Sequence, residues 1–326
     1  MVLLPWQIRR EVTRLHELYR FDVVHYLNVV SVLGAPLLPV KQFATVNSYQ
    51  PLCPKGNLFY KEREPCTGCS PVKFVGCMAS SEYVGKMRVS PVLRANPLFL
   101  GVLYGQYLRF RRALRRVRPV AVSVFVSDAL SRVGFANCPV IPSLPPPPKG
   151  KATARNMVLY EGSLEKMKGV HLLLDAYSRL PQLLRQKAPL VVVGDGPLRV
   201  TLEHAAPSEV TFTGRVSPNQ ARDVLAESSI VVAPSQWPEP LSRVLLEAVS
   251  LGKVVVATPC GGNVDLVTEE SGMLCSANPQ HLCEALTALI QNPELRHRLG
   301  NAAKTQFKRK FAPERTLAKL NTLYLG

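Results

Sequence analysis

The sequence predicts an α/β protein of two domains, the second of them a doubly wound parallel sheet. Three observations lead there. The 326 residues exceed what a single core usually holds, and a 47% hydrophobic composition can supply two. Through the second half, short and wholly apolar runs alternate with amphipathic segments, the pattern of a parallel sheet covered on both faces. Between the halves lies IPSLPPPPKG, residues 141–150, where proline withholds backbone donors and favours an extended, semi-rigid chain. The domains are therefore residues 1–140, a linker 141–150, and residues 151–326.

Taken in order, Met157 to Glu161 predicts a strand, Gly169 to Leu180 a helix and Leu190 to Val193 a strand that turns at Gly194-Asp195-Gly196-Pro197. Val210 to Thr213 is again a strand, Asn219 to Glu227 a helix and Ile230 to Ala233 a strand. Leu241 to Ser250 is a helix that a glycine stops, and Val254 to Ala257 is a strand running into Gly261-Gly262-Asn263. In the first half the arginines 109, 111, 112, 115, 116 and 118 fall on a helix predicted to begin near Leu98.

The formal net charge of +17 is uneven: residues 1–150 carry 20 Lys and Arg against 7 Asp and Glu, residues 151–326 carry 20 against 16. The first half is thus the half expected to meet something acidic. The mixture of apolar and cationic residues on the arginine helix suits an anionic membrane surface or a lipid diphosphate, and a plain solvated face is the alternative. No nucleic-acid partner is expected, because no aromatics interleave with the arginines and no RNA-binding motif is present. No run reaches the roughly 20 apolar residues of a membrane helix, and no leader pattern stands at the start. The expected location is cytoplasmic, peripheral at the inner face of the membrane.

Four of the eight cysteines cluster as Cys53, Cys66, Cys69 and Cys77. Cys66-x-x-Cys69 is a hairpin-sized chelate, and two further thiolates would complete a closed structural zinc site. An iron–sulfur cluster, ordinary thiols or a disulfide are the other readings. Cys138, Cys260, Cys275 and Cys283 are expected to be buried thiols, and the six histidines show no metal spacing.

In a doubly wound sheet, ligands bind beyond the carboxyl ends of the strands, where loops and helix N-termini present free N–H groups. Those loops hold the informative residues: Gly162 to Gly169 with Lys166 and Lys168, Gly194-Asp195-Gly196, Gly214-Arg215-Val216, and Pro238-Glu239-Pro240-Leu241-Ser242 leading to Glu247. A carboxylate only accepts hydrogen bonds, so the two acids suit the hydroxyls of a sugar or ribose, while a diphosphate needs lysine, arginine or backbone N–H. Eight residues of helix rise about 12 Å, near the span from a sugar to the ribose of its nucleotide. A capping acid and an exposed helix residue is the blander reading of Glu239 and Glu247.

The run YEGSLEKMKGVHLLLDAY, then VVVGDGP, FTGRV, PSQWPEPLSRVLLEA and GKVVVATPCGGNVDLV, resembles in order and spacing the C-terminal half of retaining glycosyltransferases of family 4 (group 1), which have the GT-B fold. The resemblance covers residues 155–326. It implies two Rossmann-like doubly wound domains and transfer of a sugar, with retention, from a UDP-, GDP- or ADP-sugar to a lipid-linked or glycan acceptor. Carried onto this chain, Glu239 contacts the transferred sugar, Glu247 the ribose, and Lys168 the diphosphate. Arg215 and Val216 meet the base, the N–H groups of Leu241 and Ser242 face sugar or phosphate, and Gly162, Ser163 and Gly194 line the site. No cofactor is required for transfer, because Lys168 and helix N-termini neutralise the leaving diphosphate.

Two positions depart from the family pattern. Ser163 stands where an arginine normally helps to hold the diphosphate, and Asn47 where a histidine contacts the sugar near the reacting centre. In the mechanism proposed for the family, the nucleotide-sugar phosphate itself takes the acceptor proton, so Asn47 weakens the catalytic half of the site without abolishing it. Phe21 to His25 resembles the family's FDVVH strand and Val120 to Ser127 the strand before the linker. An opening βα unit is missing, so the first domain is expected to be incomplete. Two other readings are a split-enzyme or inactive subunit that binds the nucleotide sugar only, and a zinc-containing nucleic-acid-binding protein. The tail Phe311 to Tyr324 resembles the family's final helix, which packs back on the first domain.

Overall fold

The computed structural model describes residues 4–84, 87–146 and 155–326. The chain divides into two compact units: Met1–Pro142 with Thr316–Gly326, and Ser143–Arg315. Most of the second half of the predicted linker, and the start of the following domain, lie at 147–154, outside the described residues.

The first unit is centred on a three-stranded parallel sheet of β1 (Val23–Tyr26), β2 (Lys41–Val46) and a later strand, Arg118–Ala121, in that spatial order. Two small antiparallel pairs intervene in sequence: β3 (Phe59–Tyr60) with β4 (Glu64–Pro65), and β5 (Tyr83–Val84) with β6 (Met87–Arg88). The Arg118–Ala121 strand is therefore β7. The sequence reading ran it on to Ser127, but Val124–Ser131 is a helix, whose start is fixed by Ser123 Oγ accepting from the N–H of Val126 at 3.2 Å. An apolar run cannot by itself distinguish strand from buried helix, and the capping serine decides it.

The basic helix spans Pro97–Leu114 and is capped by Asn96. Arg115 and Arg116 lie past its end and Arg118 opens β7, so the six arginines do not share one helix. Arg111 is structural: its guanidinium donates to Val133 O at 2.7 Å and to Tyr107 Oη at 3.0 Å. No helix among the described residues is long and apolar enough to cross a membrane.

The last helix, Pro313–Leu325, delivers Leu323 to the small core of Phe43, Val120 and Ile141. It also supplies Tyr324, whose hydroxyl lies 2.5 Å from His25 Nδ1 while His25 Nε2 lies 2.9 Å from Thr45 Oγ1. Both ring nitrogens are thus engaged, and burial holds the His25 pKa below its ordinary value. Lys319 adds a bond to Val140 O at 3.2 Å.

The second unit carries a six-stranded, wholly parallel sheet. Its strands are β8 (Val158–Glu161), β9 (Leu190–Val193), β10 (Val210–Gly214), β11 (Ile230–Ala233), β12 (Val254–Ala257) and β13 (Met273–Leu274). In space the order is β10-β9-β8-β11-β12-β13. The chain moves outward from β8 to β10, then returns to the other side of β8. The point of reversal, between β8 and β11, is where a doubly wound sheet opens a crevice at its carboxyl edge. All four residues of β11 and of β12 are buried, as the continuous apolar runs require. Helices Val170–Ser178 and Pro279–Gln291 pack together over one face and close a core that includes Leu173, Leu190, Ile230, Val256, Leu286 and Leu289.

Replacing Tyr324 by Phe removes the hydroxyl bonded to His25 and leaves a half-buried imidazole nitrogen unpaired. Urea unfolding of the full chain is expected to show a loss of about 1 kcal/mol; an unchanged midpoint would contradict a net contribution from the Tyr324–His25 hydrogen bond.

Candidate functional site

The loops at the β8/β11 reversal are built so that a lysine and a glutamate meet. After β8 the chain passes through Ser163 and a 3-10 turn, Lys166–Lys168, which ends at Gly169 with φ of +72°. A Cβ at Gly169 would stand 1.9 Å from Pro234 O, so only glycine lets this turn lie against the end of β11. The N–H of Gln236 donates to Met167 O at 2.8 Å and joins the two loops directly. Further along, Glu239 forms an isolated parallel bridge with Gly261, and Gly262 N donates to Glu239 O at 2.7 Å. Gly261 (φ +63°) admits this because a Cβ there would stand 2.2 Å from the same carbonyl. Thr258 Oγ1 to Ser235 O, at 2.5 Å, and Asn263 Nδ2 to Thr258 O, at 3.2 Å, tie the loop after β12 into the same frame.

Held this way, Glu239 is buried and its Oε1 accepts from Lys168 Nζ at 2.6 Å, Ser235 Oγ at 2.8 Å and Trp237 Nε1 at 2.9 Å. The Lys168 ammonium also sits 5.0 Å from the centre of the Trp237 ring. A buried carboxylate is tolerable only when paired and hydrogen-bonded, and here it is both. The two residues that the sequence assigned to sugar and diphosphate are bonded to each other.

Glu247 lies on the helix Arg243–Ser250, half-buried. That helix starts two residues later than the sequence reading placed it, because the hydroxyl of Ser242, used as its cap, accepts from Leu245 N at 3.5 Å. Leu241 and Ser242 are buried at its N-terminus. Burial raises the pKa of Glu247, against a lowering from Arg243 and Arg222. Its neighbour is Glu161, the last residue of β8: burial raises this carboxyl, Glu247 raises it further and Arg243 lowers it, leaving it at about 7. Glu161 went unnoticed in the sequence because it closed an otherwise apolar strand.

Other predicted residues are distributed as follows. Gly194 follows β9, with its N–H on Gly214 O at 3.0 Å, and Gly214 closes β10 before the exposed Arg215 and half-buried Val216. Gly162 N donates to Val193 O at 3.0 Å. Ser163 Oγ is buried without a hydrogen-bond partner among the described residues, and so are Glu165 Oε2 and Asn263 Oδ1. Asn47 belongs to the first unit, where it follows β2, is exposed, and donates from Nδ2 to Leu27 O at 3.2 Å.

The zinc expectation is corrected in part. Cys53, Cys66, Cys69 and Cys77 are free thiols that line one cavity of the first unit, yet among the described residues no three Cys, His, Asp or Glu side chains are grouped closely enough to hold a metal ion. The physical reason is local: Cys66 Sγ donates to Gly68 O at 3.2 Å and Cys69 Sγ to Ser70 O at 3.6 Å, so these two thiols turn to their own loop. Of the remaining cysteines, Cys138 is buried, whereas Cys260, Cys275 and Cys283 are partly exposed.

Parallel sheets of this kind, with the polar residues gathered at a strand-order reversal, define an α/β protein of the GT-B class. Residues 146–306 match the model of the family described as glycosyl transferases group 1. The chain is 29% identical over 186 residues to spore coat protein SA of Bacillus subtilis, covering 52% of this chain and 48% of that protein. It is 30% identical over 182 residues to an uncharacterized glycosyltransferase of Methanocaldococcus jannaschii, covering 54% and 46%. The chain spans about half the length of these two relatives. Sucrose-phosphate synthase from Thermosynechococcus elongatus shares the fold, with a TM-score of 0.69 over 98% of this chain and 76% of that one at 16% identity. The matched stretch is thus similar to group 1 glycosyl transferases over residues 146–306, and the fold is shared with a solved structure over 98% of the chain.

The raised Glu161 makes stability depend on pH. Between about 4.5, its ordinary value, and about 7, the unfolded chain has released a proton that the folded chain keeps. Stability from this group therefore falls as pH rises through that window and is level above it. Glu161→Gln should flatten the profile and make the variant more stable than the parent at pH 8, by at most about 3 kcal/mol. Denaturation midpoints at pH 4.5 and pH 8 check this; parallel profiles for the two chains would contradict it.

Proposed function

We propose that the second unit binds a nucleotide sugar in the crevice between the ends of β8 and β11, and that the protein transfers the sugar to an acceptor. The observation that carries this reading is the meeting of Lys168 and Glu239 at the strand-order reversal, at 2.6 Å. The nucleotide sugar carries the two groups that would separate them. Its diphosphate is a better partner for the ammonium than one carboxylate is, and its sugar hydroxyls donate to the carboxylate that Lys168 gives up. Lys168 then steadies the leaving diphosphate and Glu239 positions the sugar, while Ser235 and Trp237 keep the carboxylate in place.

The unpartnered buried atoms Ser163 Oγ and Asn263 Oδ1 support the same reading. Both lie in loops that frame this crevice, and unsatisfied buried polar groups of this kind cost about 1–3 kcal/mol each until a ligand satisfies them. Glu247 is assigned to the ribose hydroxyls, Arg215 and Val216 to the base, and the N–H groups of Leu241 and Ser242, with Gly162 and Gly194, to sugar and phosphate. Transfer proceeds with retention: the bond from the sugar to the diphosphate breaks, the acceptor oxygen attacks from the same face, and its proton passes to the departing phosphate oxygen.

The acceptor is assigned to the lipid-linked or glycan class. The helix Pro97–Leu114 exposes Leu98 and Val102 along with Arg109 and Arg112, a mixture suited to an anionic lipid surface on the cytoplasmic side.

Isothermal titration with UDP-, GDP- and ADP-glucose tests the binding. One of the three is expected to bind the parent chain in the micromolar range, and Glu247→Ala is expected to weaken it 10- to 100-fold, the worth of a charged hydrogen bond to ribose of about 1.5–3 kcal/mol. No binding of any of them at millimolar concentration would overturn the reading.

A further inference from the structure

Glu165 is a buried acid to which the site described above gives no task. It is 8% exposed, its Oε2 is buried without a hydrogen-bond partner, and no ion pair of the described residues includes it. A carboxylate taken out of water without a partner costs stability, so the fold keeps this one at its own expense. Lys166, its neighbour in sequence, does not cover it. That residue is exposed and faces His171, whose pKa burial lowers and the Lys166 charge lowers further.

The local fold supplies a cation. Glu165 precedes the 3-10 turn Lys166–Lys168, and the N–H of Lys168 donates to Glu165 O at 3.0 Å to close it. In 3-10 geometry residues three apart stack over one another, which puts Glu165 one turn from Lys168. The Tyr160 hydroxyl marks the same neighbourhood: it donates to Ser163 O at 2.9 Å, and burial, then Glu239, then Glu165 raise its pKa. Two carboxylates thus border one small region, and Lys168 is bonded to one of them. The main chain there is fixed by the close approach of Gly169 to Pro234 O and by the bond from Gln236 N to Met167 O. The Lys168 side chain, by contrast, keeps 22% exposure and lies over the Trp237 ring, so it alone needs to turn.

We propose that Glu165 is a second counter-ion for Lys168, engaged when a nucleotide sugar separates Lys168 from Glu239. This role rests on the nucleotide-sugar site proposed above. An ammonium has three N–H donors, so it can give two to diphosphate oxygens and the third to Glu165. Sugar hydroxyls then hold Glu239, and the carboxylate that stood unpartnered gains a cation. Glu165 touches neither sugar nor phosphate. It is a positioning residue that fixes the ammonium beside the leaving diphosphate. A nucleoside diphosphate without the sugar brings no sugar hydroxyls to Glu239, so Lys168 keeps that partner and Glu165 gains little.

The full chain is titrated calorimetrically with UDP-, GDP- and ADP-glucose and with the matching diphosphates, as parent, Glu165→Gln, Lys168→Ala and the double variant. Glu165→Gln is expected to weaken the nucleotide sugar that binds the parent about tenfold, the worth of one charged hydrogen bond, and the free diphosphate by less than about twofold. In the Lys168→Ala background it is expected to change neither affinity. Without ligand its urea midpoint should equal or exceed the parent's, because an unpartnered buried charge has been removed. An unchanged affinity for the nucleotide sugar overturns the proposal, as does an equal loss for sugar and diphosphate, a lower midpoint in the ligand-free chain, or a loss that persists undiminished without Lys168. Where Lys168→Ala binds too weakly to measure, the comparison of sugar with diphosphate and the midpoint decide. If the parent binds none of the three sugars, the nucleotide-sugar reading falls and takes this role with it; if Glu165→Gln binds as the parent does, only the role of Glu165 falls.

Discussion

The bond between Lys168 and Glu239 is the contact on which the arrangement of the site depends. A carboxylate at 10% side-chain exposure needs a cation and hydrogen bonds, and both must arrive from loops that follow different strands. That requirement explains the otherwise unrelated features nearby. The glycine after the 3-10 turn lets one loop approach Pro234, the Gln236–Met167 bond joins the loops, and the Gly261–Gly262 clip holds the main chain of Glu239. Each brings the two charged groups to one place at the reversal of strand order, where the sheet opens.

The second acid is set in a different environment. Glu239 is saturated by donors, whereas Glu247 and Glu161 share a half-buried region tempered by Arg243 and, for Glu247, Arg222. Two carboxyls so placed resist simultaneous ionisation, since each raises the cost of charging the other. The seven residues between Glu239 and Glu247 thus separate a carboxylate saturated by donors from one set in a half-buried region beside Arg243 and Arg222.

The second unit was legible in the sequence because β9, β11 and β12 are continuous apolar runs, β8 is apolar up to its closing Glu161, and glycine, proline or asparagine stands near the strand ends; even with the alternating β10, the five fell within one residue of their places. The pairing of Lys168 with Glu239 was not legible, because 71 residues separate them and only the strand order brings them together. Trp237 and Ser235 were hidden for the same reason: inside PSQWPEP they read as loop, and their role appears only once Glu239 has a direction. In the first unit, the apolar stretch after β7 was read as strand because the capping role of Ser123 was overlooked. The cysteine spacing suggested a zinc chelate, but spacing carries no information about which way a thiol turns, and Cys66 and Cys69 turn to Gly68 O and Ser70 O.

The account stands most directly on the coupling between Lys168 and Glu239, and a double-mutant cycle on the chain without ligand measures it. Lys168→Ala, Glu239→Gln and the double variant are compared with the parent by urea unfolding. A partly buried, hydrogen-bonded ion pair predicts that the two single changes together cost at least about 1 kcal/mol more than the double variant. Strict additivity would show that the two side chains do not depend on each other, and would contradict the account.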